Sequence, residues 1–280
     1  MTPEALLLLL LAACVHAAWN FRLKRCQDRL TVLWWALALS ALAVLPVLFW
    51  VPLPQGRAWI FVLASATVQA AYLGLLSLAY SLADFSLVYP VARGTAPLFL
   101  LLWSSQLLHE PLRGQGLLGV GVLSLGLMGM GLQRGVVRPP VAAVAAAVGV
   151  AFTISIYTAI DGLAVKTTPA LSYFVAQWCI SVVLALPPLL WRNSWKSLVE
   201  VLRRERSGVA WIGLGSALAY FLALQAYTLA PVGYAGAVRE VSVVVGAWLG
   251  WRFGGEQGGI SRLLSAGVIF LGILLIASAR

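Results

Sequence analysis

Ala79-Tyr80-Ser81-Leu82-Ala83 returns 147 residues on as Ala226-Tyr227-Thr228-Leu229-Ala230. Val91-Ala92-Arg93 returns 146 residues on as Ala237-Val238-Arg239. At that second offset Glu110 meets Glu256, Gly121 meets Gly267 and Gly126 meets Gly272. Earlier in each half, an offset of 141 sets His16 on Tyr157 and Asn20 on Asp161. Each match alone is weak. Their common order and near-constant offset are the signature of an internal duplication. The division expected is residues 1–138 for the first repeat and 139–280 for the second.

The surroundings of these matches say what is duplicated. Of the 280 residues, 61% are hydrophobic and 10% charged. A soluble domain carries about 25% charged residues, so lipid is the solvent this composition suits. Apolar runs occupy 3–21, 30–50, 58–82, 86–108, 116–133, 141–160, 170–191, 209–229, 232–253 and 260–278. Each is close to the roughly 20 residues that cross a bilayer as helix, and backbone in lipid must bond within its own segment. The runs are apolar on every face, which excludes the alternation of a β-barrel. The fold class expected is therefore an all-α integral membrane protein of ten transmembrane spans. Five spans per repeat is an odd number, so the second repeat enters the membrane upside down, an architecture recurrent in secondary transporters.

The formal charge of +10 sits in short tracts between apolar runs, which argues against nucleic acid as a partner and for headgroups and cytoplasmic loops. Thirteen Lys and Arg residues follow spans 1, 5, 7 and 9, against four on the side of the termini. By that bias the termini lie outside and the basic loops in the cytoplasm, with a bacterial inner membrane as the expected location. The tract 192–208 reads equally as an interfacial helix or a solvated loop. Leu11-Ala12-Ala13-Cys14 imitates a lipoprotein cleavage box, but it lacks a positive leader and the apolar run continues to Phe21. The three cysteines form no paired spacing, no metal site is expected, and no cofactor is called for. Without a Walker-type loop nothing supports ATP-driven transport within this chain.

Arg93 and Arg239 lie inside spans 4 and 9. A charge at the centre of a lipid-facing helix costs about 3 kcal/mol even on insertion scales, so each must face a partner or a cavity. As repeat mates they suit a pair of guanidinium groups holding an anion; the alternative is that they staple the fold. Glu240 has three readings: a proton-coupling group, a contact for a substrate ammonium, or the partner of Arg93. His16 and Asn20 share one face of span 1, and Tyr157 and Asp161 the matching face of span 6. His16 and Tyr157 are candidates to line a cavity, whereas Asn20 and Asp161 suit hydrogen bonding at helix ends. Gln69 and Tyr72 on span 3 and Tyr220 and Gln225 on span 8 are further candidate contacts, with Trp19, Tyr89, Trp178 and Tyr227 behind them. Pro90 and Pro97 flank Arg93 and suit a bend or gate. The glycines of span 5 predict a close helix-packing seam, echoed by Gly267 and Gly272 in span 10. Glu110-Pro111 reads as the start of that same fifth helix.

The two five-span halves, the Asn20 and Asp161 positions, Pro90-Val91-Ala92-Arg93, Val238-Arg239-Glu240-Val241-Ser242-Val243 and the glutamates before spans 5 and 10 together resemble the EamA family of the drug/metabolite transporter superfamily. The resemblance covers nearly the whole chain and its motifs are degenerate. It implies ten helices around a central cavity lined mainly by spans 1, 3, 4, 6, 8 and 9, and it leans towards export. Members of that family commonly keep their termini in the cytoplasm, opposite to the loop charges here. The function expected is transport, by alternating access, of a small anionic or zwitterionic metabolite such as an amino acid or another organic acid, by a monomer or homodimer. The rival readings are a non-transporting scaffold or sensor and, with less support, an integral-membrane enzyme.

Overall fold

The computed structural model describes residues 1–83, 85–111, 113–132, 140–254 and 260–279. Among them the secondary structure is helical throughout: α1 Pro3–Leu23, α2 Arg29–Val44, α3 Ala58–Leu82, α4 Phe85–Leu108, α5 Gly114–Leu132, α6 Val141–Val165, α7 Ala170–Arg192, α8 Trp195–Leu229, α9 Val232–Arg239, α10 Ser242–Gly254 and α11 Ile260–Ser278. A 3-10 turn, Leu45–Phe49, prolongs α2. Seven described stretches are long and apolar enough to cross a membrane, and Gly114–Gly129 and Leu263–Ser278 are shorter apolar helices.

Local chemistry sets the helix starts. Thr2 caps α1, its Oγ1 accepting from the Ala5 amide at 3.2 Å, with Pro3 and Glu4 in the first turn. Asp28 caps α2 through the Thr31 amide, and Ser194 caps α8 through the Ser197 amide. Pro140, Pro169 and Pro231 precede α6, α7 and α9. Outward-facing leucines such as Leu118, Leu125 and Leu263 remain exposed, as a lipid-facing surface requires. Trp50, Trp191, Trp195 and Trp251 are exposed near helix ends, where amphipathic rings suit the headgroup level.

Each of the ten apolar runs overlies helix, with three departures. The polar tract 192–208 is mostly helix: α8 starts at Trp195 and kinks at Glu205 (φ −106°, ψ 19°) before its apolar part. Apolar residues spaced between its charges let it pack, with Leu198 and Val201 buried. The sixth run extends to Val165, which places Asp161 inside a helix rather than at its end. The ninth run is not continuous. Glu240 and Val241 interrupt it, and the chain there tightens into i→i+3 bonds from Glu240 N to Ala237 O and from Val241 N to Val238 O. The buried Glu240 carboxylate, held from another helix, gives the break its reason.

α1 packs on α8 and on both α9 and α10; α6 packs on α3 and α4; α2 lies on α8, and α3 on α7. α5 packs chiefly on α11. That seam depends on Gly119, Gly126 and Gly272. A Cβ on Gly272 would sit 2.6 Å from the Leu123 amide nitrogen and 2.7 Å from the Gly119 carbonyl oxygen. The seam expected for the fifth span is therefore present, though Gly121 and Gly267 lie off it, with open space where a Cβ would go. Gly272→Ala is expected to destabilise the bundle by about 1–3 kcal/mol through overpacking, and Gly267→Ala to leave it unchanged. Thermal unfolding midpoints of the two variants in detergent provide the check.

Candidate functional site

A cavity of about 800 Å³ runs into the bundle. Its mouth lies by the α1–α2 loop, among Lys24, Gln27, Asp28 and Arg29, with Ser81 of α3 and Gly250 of α10. Its inner part is lined by His16, Tyr72, Arg93, Tyr157, Tyr220 and Arg239. Trp34 of α2 and Trp178 of α7 also line it, so spans 2 and 7 contribute beyond the six expected.

Arg93 is the centre of the inner wall. Its Nη1 donates to both carboxylate oxygens of Glu240 at 2.8 and 3.1 Å. Its Nη2 lies 2.8 Å from His16 Nε2. A guanidinium is donor-only, so that nitrogen accepts and the imidazole is the neutral Nδ1–H tautomer. The Tyr89 ring lies 5.4 Å from the guanidinium carbon. One cation thus ties α1, α4 and the α9–α10 break. Of the three readings of Glu240, the geometry places it as the partner of Arg93. Both side chains are nearly buried, at 11% and 3% exposure, so neither can be removed without stranding the other charge.

Arg239, the repeat mate of Arg93, differs. It ends α9 and lines the same cavity. Among the described residues it has no hydrogen-bond or ion-pair partner; Tyr157, Tyr227 and Glu240 lie within electrostatic reach. Near it are buried polar atoms that also lack partners among the described residues: Tyr227 Oη, Thr158 Oγ1 and, at the first residue of α10, Ser242 Oγ.

Behind Tyr220 lies Asp161, 1% exposed. Its Oδ1 accepts from Ser65 Oγ at 2.5 Å and Tyr173 Oη at 2.6 Å, and its Oδ2 from Tyr220 Oη at 2.6 Å. The helix-end role expected for Asp161 is thereby corrected: the carboxylate joins α6 to α3, α7 and α8. Asn20 does bond its own helix, Nδ2 to the His16 carbonyl at 2.9 Å, and lines the cavity. Gln69 lines the cavity beside Tyr220, its Nε2 3.3 Å from that hydroxyl. Tyr72 and Tyr157 meet edge to face at 6.1 Å. Gln225 does not line the cavity. Pro97 is buried beside a small crevice with Leu100 and Gly236, away from the cavity, because α4 turns that face towards α9. Pro90 lies within α4, and its side chain is outside the described residues.

The end of the bundle opposite the mouth is closed by a layer around Glu110, which the sequence placed at the start of the fifth helix, with Ser104 and Lys166, which it did not flag. His109, at φ 52°, ends α4 in the left-handed conformation, and the Glu110 amide reaches back to the Ser104 carbonyl at 3.1 Å. The turn sends the Glu110 carboxylate inward, where it accepts from the Val232 amide at 2.9 Å and the Gly233 amide at 3.3 Å. It also accepts from Ser104 Oγ and from Lys166 Nζ at 2.6 Å. Glu110 therefore caps α9, not α5, which starts only at Gly114. Beneath it Leu100 and Leu101 press on Gly236 and Gly233, where a Cβ would collide. Its repeat mate Glu256 lies outside the described residues. Ser65 and Tyr173 were also missed. Ser65 sits one turn from Gln69, a spacing that could have revealed it; Tyr173, in an apolar run, gave no signal.

A model of the EamA-like transporter family matches the chain twice, over residues 4–132 and 141–278. No curated protein matches it. Among solved structures, one crystal structure of a protein aligns with a TM-score of 0.77 over 99% of this chain and 97% of that one, at 17% identity. That likeness concerns the fold alone.

Two outcomes follow from the geometry. Arg93→Gln and Glu240→Gln should each destabilise the protein by about 3–5 kcal/mol, because each strands a buried charge. The double variant should be less destabilised than the two losses added, a deficit that a double-mutant cycle of unfolding midpoints measures. At the closed end, Leu101→Cys should be shielded from a membrane-impermeant maleimide, and adding Glu110→Gln should speed its labelling several-fold.

Proposed function

Because the chain belongs to the EamA-like transporter family, a family of multi-pass membrane transporters within the drug/metabolite transporter superfamily, we propose that it carries a small anionic or zwitterionic metabolite across the membrane by alternating access. The observation that carries this reading is Arg239. It is a membrane-embedded guanidinium with no partner among the described residues, set in the wall of the cavity. A cation in that setting is stabilised by a carboxylate or phosphonate arriving from solution, through paired charge-assisted hydrogen bonds. Tyr157, Tyr72, Tyr220 and Trp178 supply apolar walls and hydroxyl groups around it, which suits an organic acid or amino acid with an apolar body. Arg93 is spoken for by Glu240, so the anion is held by one arginine rather than two. A scaffold accounts for Arg93 but leaves Arg239 unexplained.

The helix contacts support two inverted five-helix repeats, 1–138 and 139–280. Exchanging α1 with α6, α2 with α7, α3 with α8, α4 with α9–α10 and α5 with α11 carries the main contacts between the halves onto one another. The α3–α6 contact becomes α8–α1, α4–α6 becomes the α9 and α10 contacts with α1, and α2–α8 becomes α7–α3. Two halves so related allow two packings of similar energy, open to opposite sides. The arrangement described is open at the α1–α2 loop and sealed at the Glu110 layer. Most loop cations lie on the open side, so by their bias the mouth faces the cytoplasm.

Uptake into proteoliposomes, screened over amino acids, other carboxylates and phosphonates, tests the reading. At least one compound should show saturable uptake, and Arg239→Gln should lower it roughly 10- to 100-fold, the loss of one charge-assisted contact, with circular dichroism unchanged. No uptake of any compound, or full uptake by the Arg239 variant, would refute it.

A further inference from the structure

We propose that Asp161 is a proton-binding site, and that its proton is linked through Arg239 to the anion in the cavity. The second half of this rests on the reading of Arg239 given above. Three carboxylates are buried among the described residues: Glu110, Asp161 and Glu240. Protonating Glu110 would strand Lys166, and protonating Glu240 would strand Arg93. Asp161 alone of the three is held only by neutral hydroxyl groups. Each hydroxyl can accept as well as donate, so Asp161 can become a carboxylic acid without orphaning a cation.

A route exists for that proton. Tyr220 touches both Asp161 and the cavity. A hydronium ion in the cavity gives its proton to the Tyr220 oxygen as the Tyr220 hydroxyl proton passes to Asp161 Oδ2. One O–H bond breaks and one forms on the tyrosine, water is left in the cavity, and Asp161 ends neutral. The Tyr220 hydroxyl then accepts from Asp161, with its own proton turned towards the cavity.

The groups facing Asp161 define the linkage. α3 offers Ser65 and Gln69, α7 offers Tyr173, and α8 offers Tyr220 and Tyr227. From α6 itself Tyr157 lies within electrostatic reach. α4 directs Arg93 to Glu240 and His16 instead. Arg239 of α9 is a cation within electrostatic reach of Asp161. With the cavity empty, Arg239 and Asp161 offset one another through space. An anion on Arg239 removes that offset, and a proton on Asp161 restores neutrality in a region of low dielectric. By reciprocity the proton favours the anion to the same extent, so the two travel together.

Infrared titration of the purified protein in liposomes tests this without any substrate. A carboxylic C=O band should appear as pH falls, shift when the protein is labelled with 4-¹³C-aspartate, and vanish in Asp161→Asn. It should persist in Glu240→Gln. Arg239→Gln, which imitates neutralisation by an anion, should move its midpoint about one pH unit upwards. Absence of a titrating band, a band insensitive to aspartate label, or a band lost with Glu240 would overturn the proton site. An unmoved midpoint in Arg239→Gln would overturn the linkage. A chain that transports in the uptake screen yet shows no such band keeps the transport reading and loses this one. The isotope label keeps the assignment testable even if Asp161→Asn fails to fold.

Discussion

The Arg93–Glu240 pair is the constraint around which the interior is arranged. A lone guanidinium or carboxylate in this apolar setting carries a desolvation penalty of several kcal/mol, so each must be met by the other. Glu240 meets Arg93 at the break between α9 and α10, at 2.8 Å. His16 completes the shell from α1. Three elements distant in sequence are thus held to one point. The break in the helix, the neutral imidazole tautomer and the cavity wall beside them all follow from satisfying one cation.

Duplication supplied pairs of positions, and the structure uses the members of each pair differently. Arg93 is neutralised inside the protein, while Arg239 faces the cavity with no described partner. Asn20 bonds the backbone of its own helix, whereas Asp161 gathers hydroxyls from three others. His16 accepts from a guanidinium, and Tyr157 stands edge to face with Tyr72. This divergence has a physical origin. The bundle is open at one end and sealed at the other, so equivalent positions in the two halves meet water on one side and packed helix on the other. The seal itself combines a capped helix terminus, an ion pair and two glycines that let α4 and α9 touch.

The span positions were legible because a bilayer imposes one length and one polarity on every crossing, and the internal repeat was legible as a shared order of residues. That Arg93, His16, Tyr72, Tyr157, Tyr220, Gln69 and Arg239 share one cavity was also readable, since a polar side chain in an apolar helix has few places to go. Partnership was left open: Arg93 stood as one of three readings of Glu240, and only the structure chose it. Glu240 sits next to Arg239 in the chain, yet about 100° round a helix, and its partner comes from α4. Glu110 reads as the start of the next helix, because a Glu beside a Pro is common there; only the left-handed His109 turn directs it to α9. Asp161 reads as a helix end until α6 is seen to run past it. Gln225 shares its helix with Tyr220 but lies off the cavity.

The sequence by itself determined which residues are apolar enough for lipid, how many such runs there are, and which charges lie too deep to be indifferent. These are properties of segments, fixed by transfer energies that act residue by residue. The tertiary structure alone decided which buried charge answers which, where the ninth run breaks, and which end of the cavity is shut. Those are properties of pairs brought together across the chain, and a hydrogen bond forms only when its donor and acceptor come within about 3 Å of each other.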